Sequence, residues 1–533
     1  MKKKTIIGTV LTIALFLVTI KSYSQVLNEG TFKFGRTLSL IDNFYVDSTN
    51  IDALTEKAIV EVLKNLDPHS TYISAKDVKE MNEPLNGNFE GIGVQFNVLR
   101  DSIIIVEPIV GGPSEKVGIK AGDRILTINN EKVTGINITF TGVRSRLLGP
   151  KGTIVKITVH RKGVPEILDF TIVRDKIPIL SLDASYMLDK ETGYIKLNKF
   201  AATTEKEFSD AITTLKRTNM KNLVLDLREN GGGYMLAATQ LAEKFFSDKK
   251  LLVYLVGRKT PRQDFTSDGN GILSSSRLVV LTDEGSASAS EIFAGAMQDW
   301  DRGIIMGRRT FGKGLVQNGF YLTDGSMIRL TIARYYTPTA RSIQRPYNEG
   351  YDKYMENFYK RFTDGELMSA DSAKLPDSLR YKTLVNKRNV YGGGGITPDV
   401  FVPADTSYVS AYFSKLVAKD ILRSFSVEFY DKNRSVINSV YKSFDDFKTK
   451  FNFSPDDVKS FIAKAESEGV KFNEDQFNRS KDEILLRLKG YVALNIWQIS
   501  ELFQIVNEGD KVIDDALRLI NDRKRYNSIL GYE

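Results

Sequence analysis

Hydrophobic positions along the chain change their period several times, and each change marks a segment. Over 32–72 apolar residues recur at helical spacing. Leu54, Ala58, Ile59, Val62, Leu63 and Leu66 share one face, Thr49-Asn50 offers a cap, and Asp67-Pro68 stops the helix. Over 89–173 the pattern turns to short strands, at 102–106, 124–128 and 153–159, with one helix near Phe140 to Leu147. From Ile177 strands and helices alternate. Strands fall at 193–197, 222–227, 251–256 and 278–281, and helices at 203–218, capped at Thr203-Thr204, and 235–246. The run Leu223-Val224-Leu225 has no polar alternation, which predicts a strand buried on both faces. An antiparallel pair follows at 319–322 and 327–333. Residues 345–391 are polar, charged and aromatic and read as a mobile insertion or lid. After Pro403 the chain returns to helical spacing, at 409–423, 444–451, 455–467, 475–499 and 514–525, with the apolar stripes read as packing faces. These changes divide the chain into a helical region 25–88, a β-rich domain 89–174, an α/β core 175–403 and a helical domain 404–533.

The first residues do not belong to this plan. Lys2, Lys3 and Lys4 precede an apolar run from Thr5 to Ile20, and Ser22-Tyr23-Ser24 supplies small residues for cleavage. Residues 1–24 therefore read as a signal peptide cut near Ser24. The rival reading is an uncleaved anchor, but about 16 apolar residues are few for a membrane span. The expected location is the periplasm, free or at the membrane surface.

Composition narrows the chemistry. The chain of 533 residues has no cysteine, which removes thiol nucleophiles, thiolate metal sites and disulfides. With two histidines, His69 and His160, a multi-histidine metal site is nearly excluded, and no metal or cofactor is expected. The formal charge is +8. Without Lys2, Lys3, Lys4 and Lys21 the 74 basic residues become 70 against 66 acidic ones, or +4, too little to argue for nucleic acid. Scarcity of histidine and cysteine raises lysine as a candidate base.

Candidate chemistry concentrates between Leu278 and Gln317. An apolar strand runs into Asp283-Glu284-Gly285, then Ser286-Ala287-Ser288-Ala289-Ser290-Glu291 opens a helix. A hydroxyl at a strand-to-helix junction suits a nucleophile, because the helix start offers free N–H donors and a positive dipole end, although serine there is commonly only a cap. Further on, Lys313 stands between Gly312 and Gly314, and a serine with a lysine base is one form of serine-nucleophile catalysis. Gly307 to Lys313 also fits the start of a phosphate-binding loop. It fails at the next position, where Gly314 replaces Ser or Thr and a strand replaces the helix. Arg228-Glu229-Asn230-Gly231-Gly232-Gly233 forms a second strand-to-helix turn, at the same end of the expected sheet, suited to supplying oxyanion donors. The glycines from Gly392 to Gly395 lack the strand–helix setting of a dinucleotide site.

The segment 89–173 resembles a PDZ domain in the arrangement found in bacterial proteases. Gly91-Ile92-Gly93-Val94 resembles its carboxylate-binding loop and Ala121-Gly122-Asp123-Arg124-Ile125 its characteristic turn. The resemblance implies capture of a peptide C-terminus by free N–H groups, with the peptide added as a strand along residues 95–98 and an apolar pocket at Val94, Phe96, Val143 and Leu147.

Taken together, Asp67-Pro68-His69-Ser70, this domain, Asp226-Leu227-Arg228 with Asn230, Gly232 and Gly233, Ser286 to Glu291, Thr310-Phe311-Gly312-Lys313-Gly314 with Val316-Gln317, and Gly395-Ile396 with Pro398-Asp399 resemble the carboxyl-terminal processing peptidases of the S41 serine peptidase family, over about Asp42 to Pro403. The resemblance implies Ser288 as nucleophile, Lys313 as base, Gln317 as orienter of the lysine, and backbone N–H groups of Gly232 and Ala289 as the oxyanion hole. It also implies a crotonase-like α/β protease core, of the ClpP/crotonase type, with an inserted PDZ domain and helical regions at both ends. The expected partners are proteins or peptides with free apolar C-termini. An adaptor or a second copy of the chain is a candidate partner for the C-terminal helical region. Two departures stand out: Ala340 where relatives have glycine, and Leu148 where many have arginine. A non-catalytic PDZ scaffold and an acyl-CoA enzyme of the same fold are the competing readings.

Overall fold

The uninterrupted apolar strands pack as their composition demands. The computed structural model of the chain describes residues 28–99, 101–109, 111–372 and 376–532. The expected signal peptide, 1–24, lies outside the described residues. At the centre is a six-stranded sheet in the order Leu182–Met187, Thr192–Leu197, Asn222–Asp226, Leu278–Thr282, Ile304–Gly307, Val400–Phe401. The first pair is antiparallel and the remaining pairs are parallel. Ile195, Leu223, Leu225 and Val280 face one side and meet the helices Thr204–Arg217, Met235–Glu243 and Ala289–Asp299. Tyr194, Val224, Val279 and Leu281 face the other side, against Val512, Ile513, Ala516, Leu519 and Tyr526. Both faces are dry, so period-two alternation has no reason to appear in these strands.

The division expected at residue 403 is therefore not a division in packing. Helices Lys511–Asn521 and Arg523–Leu530 form one wall of the central core, and the Tyr526 hydroxyl bonds both the N–H and the C=O of Leu278, at 2.9 and 3.0 Å. The preceding helices Ala411–Ala418, Ile421–Val440, Pro455–Ser467 and Glu474–Leu494 make a separate bundle around Phe413, Phe425, Phe461 and Leu488. That bundle touches the inserted domain through Asp431, 2.9 Å from Arg124. Among the described residues no helix is long and apolar enough to cross a membrane.

A second, antiparallel sheet joins Thr71–Ile73, Met327–Tyr336, Leu251–Val256 and Gln263–Thr266, with Leu315–Tyr321 paired on Met327–Tyr336. It ties the N-terminal region to the core, since Thr71 pairs with Arg329. The inserted domain has its own sheet, in the order Val94–Leu99, Ser102–Pro108, Arg124–Ile128, Ile154–His160, Leu168–Val173, around Ile103, Ile125, Val143 and Val155. It enters and leaves through one two-stranded ribbon, Asn88–Gly91 on Asp175–Pro178. One expected cap is not made: Thr203 has helical backbone and no capping bond, while the Glu207 carboxylate accepts from Ser181 and Leu182.

If the last helices are core, truncating one buried side chain there must cost as much as in any core. Leu519→Ala, at a residue 2% exposed, is expected to destabilise the protein by about 2–5 kcal/mol. Denaturant unfolding of the two proteins measures this, and equal midpoints would remove these helices from the core.

Candidate functional site

The strand Leu278–Thr282 delivers the chain to a turn held by Asp283, whose Oδ1 accepts the N–H groups of Gly285, Ser286 and Glu229 at 3.0, 3.1 and 2.8 Å. Of the three serines that follow, two are buried and committed to structure. Ser286 Oγ donates to Leu227 O at 2.8 Å, and Ser290 Oγ donates to Asn230 O at 2.8 Å. Ser288 alone is partly exposed. It lies at φ 56°, ψ −111°, a left-handed conformation that costs a non-glycine residue of order 1–3 kcal/mol, immediately before the helix Ala289–Asp299.

Lys313 is brought to the same place by two clamps. The Glu291 carboxylate is fully buried, and its Oε2 accepts both the Ser288 and the Lys313 N–H, each at 2.8 Å. Its Oε1 accepts the Gly312 N–H at 2.7 Å and the Thr310 hydroxyl at 2.5 Å. On the carbonyl side the Tyr335 hydroxyl lies 3.1 Å from Ser288 O and 2.8 Å from Lys313 O, as donor. The two residues thus share an acceptor on one side and a donor on the other. The Lys313 amine forms no ion pair or hydrogen bond among the described residues. Burial pushes its pKa down from the ordinary lysine value, and the Arg329 cation adds to this, against smaller opposing effects of Glu291 and Asp67.

Gln317 sits on the strand Leu315–Tyr321, beyond the lysine. Its Nε2 donates to Thr331 Oγ1 at 3.2 Å, and no hydrogen bond joins it to Lys313. Gly232 is where the glycine turn meets the nucleophile. A Cβ there would fall 2.7 Å from Ala287 O, 2.8 Å from Ser288 Cβ and 2.9 Å from Ala289 N, and φ is +99°, so only glycine fits. The Ala289 N–H has no acceptor among the described residues, as a first helical amide should. The Gly232 N–H does have one, Asn230 Oδ1 at 2.9 Å. Of the two expected oxyanion donors, the Ala289 amide is thus open and the Gly232 amide is engaged. The side chain of buried Asn230, anchored on Leu197 O, reaches the glycine amide first. No group of His, Asp and Glu among the described residues could hold a metal ion.

In the inserted domain the Ile92 and Gly93 N–H groups have no acceptor among the described residues, beside a cavity of about 160 Å³ lined by Phe89, Val94, Phe96, Phe140, Leu147 and Leu148. Val94–Leu99 is an edge strand, so a peptide has a free edge to pair with. Two expectations change in detail. Gly91 belongs to the ribbon strand, paired with Asp175. Ile92 offers its amide, as expected of the loop, while its side chain is buried in the domain core. Val143, expected in the pocket, is fully buried and packs inward.

The model of peptidase family S41 matches residues 191–350 and a PDZ domain model matches 91–172, while 412–498 match a family of unknown function, DUF8443. A carboxy-terminal-processing protease of Bartonella bacilliformis is 34% identical over 342 residues, covering 62% of this chain and 77% of that protein. This chain is a member of peptidase family S41. The carboxy-terminal processing protease CtpA of Bacillus subtilis is 35% identical over 314 residues, covering 59% of this chain and 66% of that protein. The chain thus spans about two thirds of that relative's length. A solved photosystem II D1 C-terminal processing protease is 31% identical, covering 61% of this chain and 86% of that one, with a TM-score of 0.34.

Several residues of this S41 peptidase's site had no role assigned from the sequence. The parts played by Glu291 and Tyr335 appear only once the fold joins them to Ser288 and Lys313. Asp67 and His69 stand in a motif of the family resemblance, but in a turn that the helical pattern marks merely as a stop. The insertion over 345–391 contributes the helix Tyr351–Thr363, and it is tied down on the base loop. Arg361 donates to Thr310 O at 2.9 Å and Arg309 O at 2.6 Å, and the Arg345 guanidinium lies 4.3, 4.0 and 4.9 Å from the rings of Phe311, Tyr354 and Phe358. His69 packs edge-on to Tyr354, with Nε2 3.2 Å from its hydroxyl.

Burial, together with the charges of Lys313 and Arg345 and against the pull of Asp67, lowers the pKa of His69 to about 4. A histidine depressed below its unfolded value of about 6.5 contributes stability that is complete above that pH and is lost as pH falls toward 4. His69→Gln should therefore flatten the acid limb of stability, by up to about 3 kcal/mol between pH 7 and pH 4. Unfolding curves at both pH values, for wild type and variant, measure the difference. Parallel slopes would mean that the histidine charges freely in the fold.

Proposed function

We propose that this chain is an exported serine endopeptidase of the carboxy-terminal processing type, working through Ser288 and Lys313 on a crotonase-like core in the periplasm. The observation that carries the reading is the double clamp. Ser288, the strained and partly exposed serine of this turn, shares Glu291 and Tyr335 with a lysine whose amine has no ionic partner among the described residues and whose pKa is pushed down. A neutral amine has the lone pair that general-base catalysis needs. Lys313 takes the Ser288 hydroxyl proton as Oγ attacks the scissile carbonyl. The Ala289 N–H meets the developing oxyanion, joined by the Gly232 N–H when the Asn230 carbonyl releases it. The resulting ammonium returns its proton to the leaving amine. Water then hydrolyses the acyl-enzyme by the same base. The names of the curated relatives support this class of activity.

Substrates of this enzyme are proteins with a free apolar C-terminus. The carboxylate would take the open Ile92 and Gly93 amides, and the last side chain would enter the cavity walled by Val94, Phe96 and Leu147. An adaptor or a second copy docking on the C-terminal bundle belongs to the same proposal.

The test uses purified protein without residues 1–24 and one peptide, made with a free and with an amidated C-terminus. Cleavage should be faster for the free form, and it should fall by on the order of 10⁴-fold or more in Ser288→Ala and in Lys313→Arg, since arginine stays protonated. Because the neutral lysine is the active form and its pKa is lowered, turnover should rise with pH along a limb below the ordinary lysine value of about 10.4. A wild type that binds the free peptide and never cleaves it would establish the scaffold reading. Near-normal turnover in Lys313→Arg would remove the lysine from the chemistry.

A further inference from the structure

Asp67 follows the helix Ile51–Lys64 of the N-terminal region, and this residue reaches into the site from outside the core. Asp67 is 8% exposed, and as a carboxylate it only accepts. It takes the His69 N–H at 2.8 Å, the Ser70 N–H at 2.9 Å, the Ser70 hydroxyl at 2.6 Å and the Thr331 hydroxyl at 3.0 Å. The Thr331 proton is thereby committed to Asp67, and only lone pairs remain on its oxygen. A lone pair can only receive, so the Gln317 amide faces it with Nε2, at 3.2 Å. An amide that presents its NH₂ to one side presents its carbonyl to the other. Gln317 Oε1 has no hydrogen-bond partner among the described residues, and neither does the Lys313 amine.

We infer that Asp67 and Thr331 are positioning residues that fix the polarity of the Gln317 amide, so that its carbonyl and not its NH₂ is offered to the amine of Lys313. The inference rests on the Ser288–Lys313 reading. The polarity matters for a chemical reason. A carbonyl accepts an N–H of the neutral amine and leaves the nitrogen lone pair directed at the serine. An NH₂ group would instead donate into that lone pair and occupy the site that must receive the proton. After transfer the same carbonyl accepts from the ammonium, so the contact survives the step. The relay also makes the base depend, through Thr331, on a segment 264 positions before that threonine, held in register by the Thr331 N–H on Ser70 Oγ at 3.0 Å.

The experiment compares kcat and KM on a peptide with a free apolar C-terminus for wild type, Thr331→Val, Thr331→Ser, Asp67→Asn, Gln317→Ala and the double variant Gln317→Ala with Thr331→Val. Valine keeps the shape and removes the hydroxyl. Serine keeps the hydroxyl, and asparagine can donate where aspartate only accepts. Thr331→Val and Asp67→Asn should each lower kcat roughly tenfold with KM unchanged, and Thr331→Ser should stay within about twofold of wild type. Valine at 331 should cost nothing further once Gln317 is alanine. An equal loss in both backgrounds, an unchanged kcat in Thr331→Val or in Gln317→Ala, or a lower melting temperature with normal kcat would overturn the relay. Should Asp67→Asn fail to fold, the Thr331 variants decide alone. A wild type without Ser288-dependent turnover would instead overturn the catalytic reading and this inference with it.

Discussion

The carboxylate of Glu291 is the constraint on which the site depends. Taking a carboxylate out of water costs several kcal/mol unless its lone pairs are used, and here four donors use them. Burial still raises its pKa, against the pull of those donors, led by the Thr310 hydroxyl and the Lys313 amide. The donors come from both halves of the site, so the energy that keeps the charge buried is also the energy that keeps the nucleophile turn and the base loop together. The same saturation explains how a carboxylate can lie near a lysine that must stay neutral. Both oxygens are turned toward backbone and threonine donors, while the charge of Arg329 helps to lower the pKa of the amine. Replacing Glu291 by glutamine would place an NH₂ among four donors, the worst partner available to them.

The glycine turn is braced in an analogous way from behind the sheet. Asp226 ends the strand that leads into it and is fully buried. Burial works against its charge, but Arg228 and Lys196 hold its carboxyl well below the usual range. Arg228 in turn donates to Asp510 at 2.8 Å, at the cap of the helix Lys511–Asn521 that walls the core. The turn that touches Ser288 is thus fixed on one side by Asn230 and on the other by a helix nearly three hundred residues away. What divides as sequence into core and tail is continuous as packing, because the second face of a parallel sheet must be covered by something.

This is also where the sequence stops being legible. Strand positions, the glycine turn, the serine-bearing helix start and Lys313 could be read because each depends on local spacing. The amphipathic stripe over 514–525 could be read as a packing face, but nothing in it names its partner, since apolar packing is non-directional. Val143 was assigned to a peptide pocket by position along a motif, whereas burial is decided by how the inserted domain closes on itself. The Gly232 amide was taken as open because its residue type permits the approach. Whether it is free depends on Asn230, two residues earlier, turning its own side chain onto it. The roles of Tyr335 and Asp67 were silent for a plainer reason. A tyrosine on a strand and an aspartate before a proline are ordinary until the fold puts their oxygens within 3 Å of the site.

The base loop gathers these dependencies. Its carbonyls and amides are held by Glu291 from the nucleophile helix, Tyr335 from the second sheet, Gln344, whose Oε1 accepts the Gly314 N–H at 2.8 Å, and Arg361 from the inserted helix. Ile396 closes it from the last core segment, its N–H 2.6 Å from Thr310 Oγ1. That contact frees the Thr310 proton for Glu291, so the far end of the core polarises the bond that holds the centre. Gly312 and Gly314 are glycines for the same reason. A Cβ at Gly312 would fall 2.6 Å from Arg345 Cγ, and one at Gly314 3.1 Å from the Gln344 amide nitrogen. A lysine alone in a loop would be an exposed cation with an ordinary pKa. Contacts from residue 67 to residue 396 surround its loop, and burial without an ion-paired carboxylate is what lowers its pKa toward that of a base.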